Sequence, residues 1–574
     1  MIGKVISGSV NKGVKAVLSN EENIELYPVG SLIAIKGVTK TYLGLITDAG
    51  IDSESNLVNK LTNLSISNEL REVIVKNLGS LIKRQWIEIA LIAQKEGDSV
   101  SKASTMPSFN SDLINVDDGV INLFFSRPDR RVKWPLGIPK AVGKALSPVP
   151  IDVSKLVELS FGIYGKSGTG KTFLGNLIAS YITMYNIIEK PEKRIKLLIF
   201  DMHSEYALEL KDNLGRPIAD GVGKIFKDHF KAYTPDEELA RSRGIEFLKI
   251  DYSELTTDDL RLIANIFGVS QTFLIQLDNF SKVLREDVRL RDLWVWGLLI
   301  DELSEKELMR SAEGRRILDE VLSRSGFSSV KILQARIEER IKSAYGPSAL
   351  TTYRSQRVKL KRLLKYPYTY GGSTFENIVN ELLDPEGPSI IISLGKFEKE
   401  MPLYMVIANI VARRLRSKVM EFVERGEDIP VKVLIFLEEA HNFLGKDTYY
   451  LSPFGDIARE LRKRGVTLCV IDQKPSELDP NVITMIWTNF IFTLTDERDI
   501  EKSLIGAPQP HLLKKIVPTL DRQEVLVYGE GVNFPVTVKV INYMDMVKEL
   551  KEYLQNLLEK RKKLEELYEE SGLL

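Results

Sequence analysis

The chain has one cysteine in 574 residues, Cys469. A single thiol excludes an internal disulfide framework and suits a reducing compartment. It lies inside the apolar run Val466 to Ile471, where it reads as a small buried hydrophobe rather than a nucleophile. The four histidines, His203, His229, His441 and His511, stand far apart without metal-ligand spacing. Net charge is also missing, because Lys+Arg and Asp+Glu both number 79. Any surface for a polyanion must therefore be local. No apolar run approaches the ~20 residues that span a bilayer, and Met1-Ile2-Gly3-Lys4-Val5 leads into no apolar signal core. These absences predict a soluble, cytoplasmic protein with no membrane partner.

The length suggests three or four modules of ~100–200 residues. Residues 1–130 read as a small β-barrel with a helical insertion. Val14, Ala16 and Leu18 alternate as in a half-buried strand, and Leu32 to Ile35, Leu43 to Ile46, Trp86 to Ala93 and Val120 to Phe125 are further strand candidates. The helical piece is expected near Asn68 to Lys83. Prolines 135, 139, 148 and 150 mark residues 131–158 as an extended connector. Strand and helix signals then alternate over 159–234 and again over 371–541, the pattern of a mostly parallel sheet flanked by helices. Residues 235–370 read as a helical subdomain. The last segment, 542–574, reads as a charged helix docked on its own domain.

One octet carries specific chemistry: Gly165-Lys166-Ser167-Gly168-Thr169-Gly170-Lys171-Thr172, between the apolar run Leu159 to Tyr164 and the helical run Phe173 to Tyr185. Glycines allow the backbone to curl so that successive N–H groups and a helix N-terminus face phosphate oxygens. Lys171 is the residue to reach the β- and γ-phosphates, and the Thr172 hydroxyl the one to ligate Mg²⁺. The cofactors expected are ATP and Mg²⁺.

Two further apolar runs end in acids. Lys196 to Phe200 leads into Asp201, and Val431 to Leu437 leads into Glu438 and Glu439. Ligands gather at the carboxyl ends of parallel strands, so these acids are candidates for metal hydration and for polarising water. Glu438 is assigned to the Mg²⁺ water shell and Glu439 to the base. Arg459 and Arg462, in the basic stretch before Gly465, either compensate a helix dipole or reach a neighbouring subunit's γ-phosphate. Gln473, just after the run Val466 to Ile471, is a candidate γ-phosphate sensor. Between Thr351 and Tyr366, six basic residues and no acid form the clearest local cationic cluster, a phosphate grip or a solvated helix face.

The loop GKSGTGKT, the segment DMHSEY after its strand, LIFLEEAHNFL and IARELRKRGVTLCVIDQKPSELDPNV together resemble the HerA family of archaeal DNA translocases, within the HerA–FtsK superfamily. The resemblance runs in order over most of residues 135 to 541. It implies an α/β fold: a RecA-like (ASCE) P-loop ATPase core with an N-terminal small β-barrel (HAS-barrel-like) and a helical subdomain insertion. It also implies a homo-hexameric ring around duplex DNA, an ATP-driven helicase or translocase acting with a NurA-type nuclease in DNA end resection and double-strand break repair. By the family's pattern Lys171 is the phosphate lysine, Glu439 the catalytic glutamate, Asp201 the second-strand acid, Gln473 the sensor and Arg462 the trans-acting arginine. The chain departs from that pattern at Ser204, usually glycine, at Glu438, often aspartate, and at Asp472 and Lys474, which flank the glutamine in place of Ser and Arg. A conjugation or viral packaging ATPase of the same superfamily is one alternative, and a nucleotide-switched scaffold that does not move DNA is another.

Overall fold

The computed structural model describes residues 2–19, 21–53, 83–212, 214–370 and 374–571. The helical piece expected near Asn68 to Lys83 lies outside the described residues except for Lys83, which begins a strand. The chain divides into two compact units, Met1–Lys190 with Cys469–Leu574, and Pro191–Leu468.

The first unit opens with the expected barrel. Strand Gly3–Ser9 pairs with Gly13–Leu18 and Asp112–Ile114, Leu32–Lys36 pairs with Asp112–Ile114 and Thr41–Ser53, and Lys83–Glu96 pairs with both Thr41–Ser53 and Gly13–Leu18, which closes the ring. Alternate residues point inward, so Val14, Ala16, Ile33, Ile35, Ile87 and Ile89 fill the interior, as the period-2 pattern requires.

Val120 to Phe125 does not continue this sheet. It forms the helix Asp118–Phe125, capped by the Asp117 side chain, which accepts the N–H of Val120. Ile121, Phe124 and Phe125 are buried, and both phenylalanines meet Phe534 edge-on. Five apolar residues in six, broken only by Asn122, have no period that separates helix from strand, and here the cap decides. The stretch read as an extended connector is also folded. Strands Lys133–Pro139 and Val149–Asp152 pair antiparallel, and the first also pairs with Val536–Val540. Pro135, opposite Pro150, sits at a register shift at Pro135/Gly137, where a missing N–H costs the ladder little. Trp134 stacks on Tyr181 with ring centroids 4.9 Å apart, tying these strands to the helix Lys171–Glu189.

In the same unit, Phe161–Tyr164 lies between residues 469–472 and strand Thr488–Ile491, parallel to both. Strands Glu524–Tyr528 and Val536–Val540 extend the sheet antiparallel. The last helix, Tyr543–Ser571, buries Tyr543, Met546, Val547 and Leu550, and Tyr543 meets Phe173 edge-on.

The second unit is built on a parallel sheet in the order Glu246–Phe247, Phe230–Thr234, Ser389–Ser393, Ile195–Asp201, Lys432–Glu438. Every residue of Ile195–Asp201 is buried, as a central strand covered on both faces must be. Helices fill residues 257–360, among them Gln271–Glu286, Ala312–Ser325 and Val330–Leu360. The last is broken at Gly346, whose φ of 83° and ψ of 179° leave the helix just before Pro347.

Candidate active site

In the first unit the octet adopts the turn its composition predicts. The buried strand Phe161–Tyr164 runs into the loop, and helix Lys171–Glu189 begins directly after it with Gly170 as an N-cap that offers no side-chain acceptor. Phosphate oxygens suit such a helix start. A Cβ at Gly165 would sit 2.6 Å from Cβ of Phe492, so only glycine passes there. Gly168 has a φ of 75°, which favours glycine for conformational reasons alone. The Lys171 ammonium donates to the carbonyls of Gly165 at 2.7 Å and Lys166 at 2.9 Å, and the Thr169 hydroxyl donates to Lys166 O at 2.8 Å. Lys166, Ser167 and Gly168 are exposed, while Thr169, Gly170, Lys171 and Thr172 are half-buried.

The register brings Gln473 to this loop. Tyr164 pairs with Asp472, so the residues that follow each leave the sheet side by side. The Gly165 N–H donates to Asp472 O at 3.2 Å, and Asp472 accepts the Lys474 N–H at 2.8 Å through its carboxylate. Gln473 therefore starts a turn fixed at both ends. Two flanking residues were not foreseen. Phe492 packs against Gly165 and Gly170, and Gln523, at a φ of 66°, donates its N–H to Thr169 O at 3.1 Å. Phe492 falls within a run that reads as plain strand, and nothing local distinguishes Gln523.

In the second unit Asp201 and Glu438 end adjacent parallel strands, with Phe200 opposite Leu437. Asp201 has no exposed surface, and its carboxylate accepts the N–H groups of Glu205, Tyr206 and Ala207 at 2.9, 3.0 and 2.8 Å. Burial nevertheless raises its pKa to about 7. Those bonds make Asp201 the organiser of the loop 202–207. Ser204 takes a φ of 61°, the conformation that glycine adopts most easily. Its hydroxyl accepts from Ser393 Oγ at 2.6 Å and from the Gly395 N–H at 3.3 Å, bonds a glycine could not make.

The Glu438 carboxylate is buried and accepts the Met202 N–H at 3.2 Å. Burial first, then the nearby Asp201 and Glu205, hold its pKa well above the usual range. Glu439 is half-buried with a φ of 47°, unusual for a residue with a Cβ. Its carbonyl accepts from the Asn442 N–H and side-chain amide at 3.0 and 2.9 Å, and Tyr404 donates its hydroxyl to Glu438 O at 3.0 Å. The two glutamates thus leave the strand in different directions, one inward and one toward the surface.

The arginines are not on one regular α-helix as their spacing implies. Ile457–Leu461 winds as a π-helix and Arg462–Arg464 as a 3-10 turn closed by Gly465 at a φ of 89°. Such a bulge changes which residues share a face. Arg459 is ion-paired with Asp456 and lies over the rings of Tyr449 and Tyr450 at 5.3 and 5.7 Å. Arg462 is half-buried at the head of the 3-10 turn.

The basic cluster is occupied internally. Arg354 pairs with Glu338, Lys361 with Asp301 and Lys365 with Glu400. Arg357, 4% exposed, pairs with Asp301 at 3.1 Å and bonds Gln334 and the Ile300 carbonyl. Lys359 donates to Gly268 O, and Arg362 lies over the Phe267 ring. The cluster knits the helices together, and its cations are engaged by partners within the chain.

A family model described as the central domain of the helicase HerA matches residues 138–415, which contain the loop and Asp201 but stop before Glu438. The DNA double-strand break repair helicase HerA of Pyrococcus furiosus is 24% identical over 79% of this chain and 74% of its own length. A probable DNA double-strand break repair helicase HerA of Methanocaldococcus jannaschii is 22% identical over 81% of this chain and 87% of its own. Among solved structures, the bacterial conjugative coupling protein TrwB in its trigonal form aligns with 74% of this chain and 92% of its own at 14% identity and a TM-score of 0.42. Among the described residues no helix is long and apolar enough to cross a membrane. With the phosphate loop formed as its residues require, the chain is similar to the HerA helicases around that loop, over the residues 138–415 that their central-domain model matches.

Proposed function

We propose that the chain is an ATP-driven DNA translocase or helicase that works as a homo-hexamer on duplex DNA. In this reading it acts with a NurA-type nuclease at broken DNA ends. The loop carries the reading: strand, glycine turn and helix start are joined as nucleotide phosphates require, with Lys171 inside the turn and Gln473 beside it.

Mg²⁺, when bound, supplies charge neutralisation at the phosphates. Thr172 would hold it at the loop, and Glu438, a buried carboxyl of the second unit, is of the kind a divalent cation's water shell takes. Glu439, outside that buried pair, orients and deprotonates the attacking water. Lys171 holds phosphate oxygens, and Gln473 reports loss of the γ-phosphate to the strand it ends. Asp201 keeps the loop 202–207 in place for Glu438. Arg462, half-buried at the head of its 3-10 turn, is the arginine offered to a neighbouring subunit.

ATP turnover measured with and without duplex DNA, beside native mass, tests this proposal. Stimulated turnover by a hexamer supports the motor. Turnover indifferent to DNA favours a nucleotide-switched scaffold, and a monomer under every condition overturns the shared-site mechanism.

A further inference from the structure

The second unit contains a cavity of about 400 Å³ that shares no lining residue with the carboxylates. It opens at the carboxyl edge of the parallel sheet, where Phe247 is the strand partner of Thr234, and Phe397 follows strand Ser389–Ser393. That edge is where α/β sheets take ligands. Phe247 and Phe397 are both half-buried and each has a lysine beside its face: Lys249 at 5.7 Å and Lys396 at 5.5 Å. Tyr366, buried and bonded through its hydroxyl to Glu400 at 2.9 Å, meets Phe397 edge-on and fixes that ring.

The two lysines are loosely held. Lys249 stands 3.5 Å from Glu313, whose closer partner is Arg316 at 2.8 Å. Lys396 stands 3.6 Å from Asp236, which already accepts the N–H groups of Glu238, Leu239 and Lys396. Both ammonium groups are themselves partly exposed and stand at the long end of ion-pair range, so each can turn to another anion. Lys365, by contrast, is held by Glu400 at 2.8 Å and stays structural.

Aromatic faces flanked by mobile cations, in a space of one nucleotide's scale, match a base that is out of its stack together with its phosphate. A base inside a duplex cannot enter such a cup. We propose that this cavity binds one unpaired nucleotide of a single-stranded nucleic acid, the base against Phe247 and Phe397 and the phosphate on Lys249 and Lys396. The inference does not depend on the ATP reading, because binding is measured without nucleotide.

The test uses the full chain and a fluorescein-labelled oligothymidylate, with a matched duplex as control. Replacing both phenylalanines by leucine keeps the cup apolar and should weaken oligothymidylate binding roughly tenfold while leaving duplex binding unchanged. The Lys249→Ala, Lys396→Ala double variant should flatten the salt dependence of log Kd by roughly 0.7, the release expected for one single-strand phosphate. An oligothymidylate carrying 4-thiothymidine should photo-crosslink to the cup. Unchanged affinity of the leucine variant with an unchanged melting temperature overturns the proposal, as does equal weakening of the duplex. Competition by thymidine monophosphate without any crosslink from the strand assigns the cup to a free nucleotide instead, and competition only by an acidic peptide assigns it to a protein partner.

Discussion

Glu438 accepts the backbone N–H of Met202, the residue that follows Asp201, at 3.2 Å. Two buried carboxyl groups are thereby bound into one turn, at the ends of neighbouring strands. Each ionises at the expense of the fold.

That cost predicts a pH dependence. Asp201 titrates at about 7 in the folded chain against 3.8 ordinarily, and Glu438 is likewise raised above its ordinary 4.5. A carboxyl with a raised folded pKa binds protons better folded than unfolded, so stability falls as pH rises from the unfolded value through the folded one. Glu438→Gln removes one charge from that window. The melting temperature of the variant should gain on the wild type as pH rises above the ordinary glutamate value of 4.5, while ATP turnover is lost. A difference that stays constant with pH contradicts the assignment.

Ser204 offers a second check. Alanine keeps the φ of 61° and loses the bonds to Ser393 and Gly395, whereas glycine loses the bonds and relieves the backbone. Lost hydrogen bonds amount to about 1–3 kcal/mol, and the left-handed backbone to about 1. Thermal unfolding should rank wild type above Ser204→Gly and that above Ser204→Ala. Alanine at or above glycine would remove the backbone strain from the account, and glycine at or above the wild type would remove the hydroxyl.

The arginines should separate. Arg459 is held by Asp456 and two tyrosines, so Arg459→Ala should act mainly on stability. Arg462→Ala should lower kcat by about a thousandfold or more, the scale of an arginine supplied in trans. Mixed assemblies of Arg462→Ala and Lys171→Ala chains should recover turnover that neither has alone. Absence of any recovery argues against a shared site.

Arg357 tests the reading of the basic cluster. Removing a buried, paired guanidinium costs about 3 kcal/mol. Arg357→Ala should lower the denaturant midpoint, and Arg354→Ala should leave DNA affinity unchanged. Weaker DNA binding by Arg354→Ala would restore the cluster as a phosphate grip.

What was legible in the sequence was local. The loop could be read because strand, glycines and helix are contiguous, and the barrel because Val14, Ala16 and Leu18 alternate. Val120 to Phe125 could not, since a short apolar run fits either period and its cap lies upstream at Asp117. The proline-rich strands were hidden for a different reason: their partner, Val536–Val540, is almost four hundred residues away. Distance also concealed the fate of the basic cluster, because Asp301, Glu338 and Glu400 lie outside any window that shows the cluster as uncompensated. Phe492 and Gln523 meet the phosphate loop only in space.

The central claim is that phosphate chemistry at Lys171 moves DNA. Displacement of a triplex-forming strand from a duplex, followed beside ATP turnover, tests it most directly. The account predicts ATP-dependent displacement by the wild type, and neither turnover nor displacement by folded Lys171→Ala. Full turnover by Lys171→Ala, or rapid wild-type hydrolysis that never displaces the third strand, would contradict it.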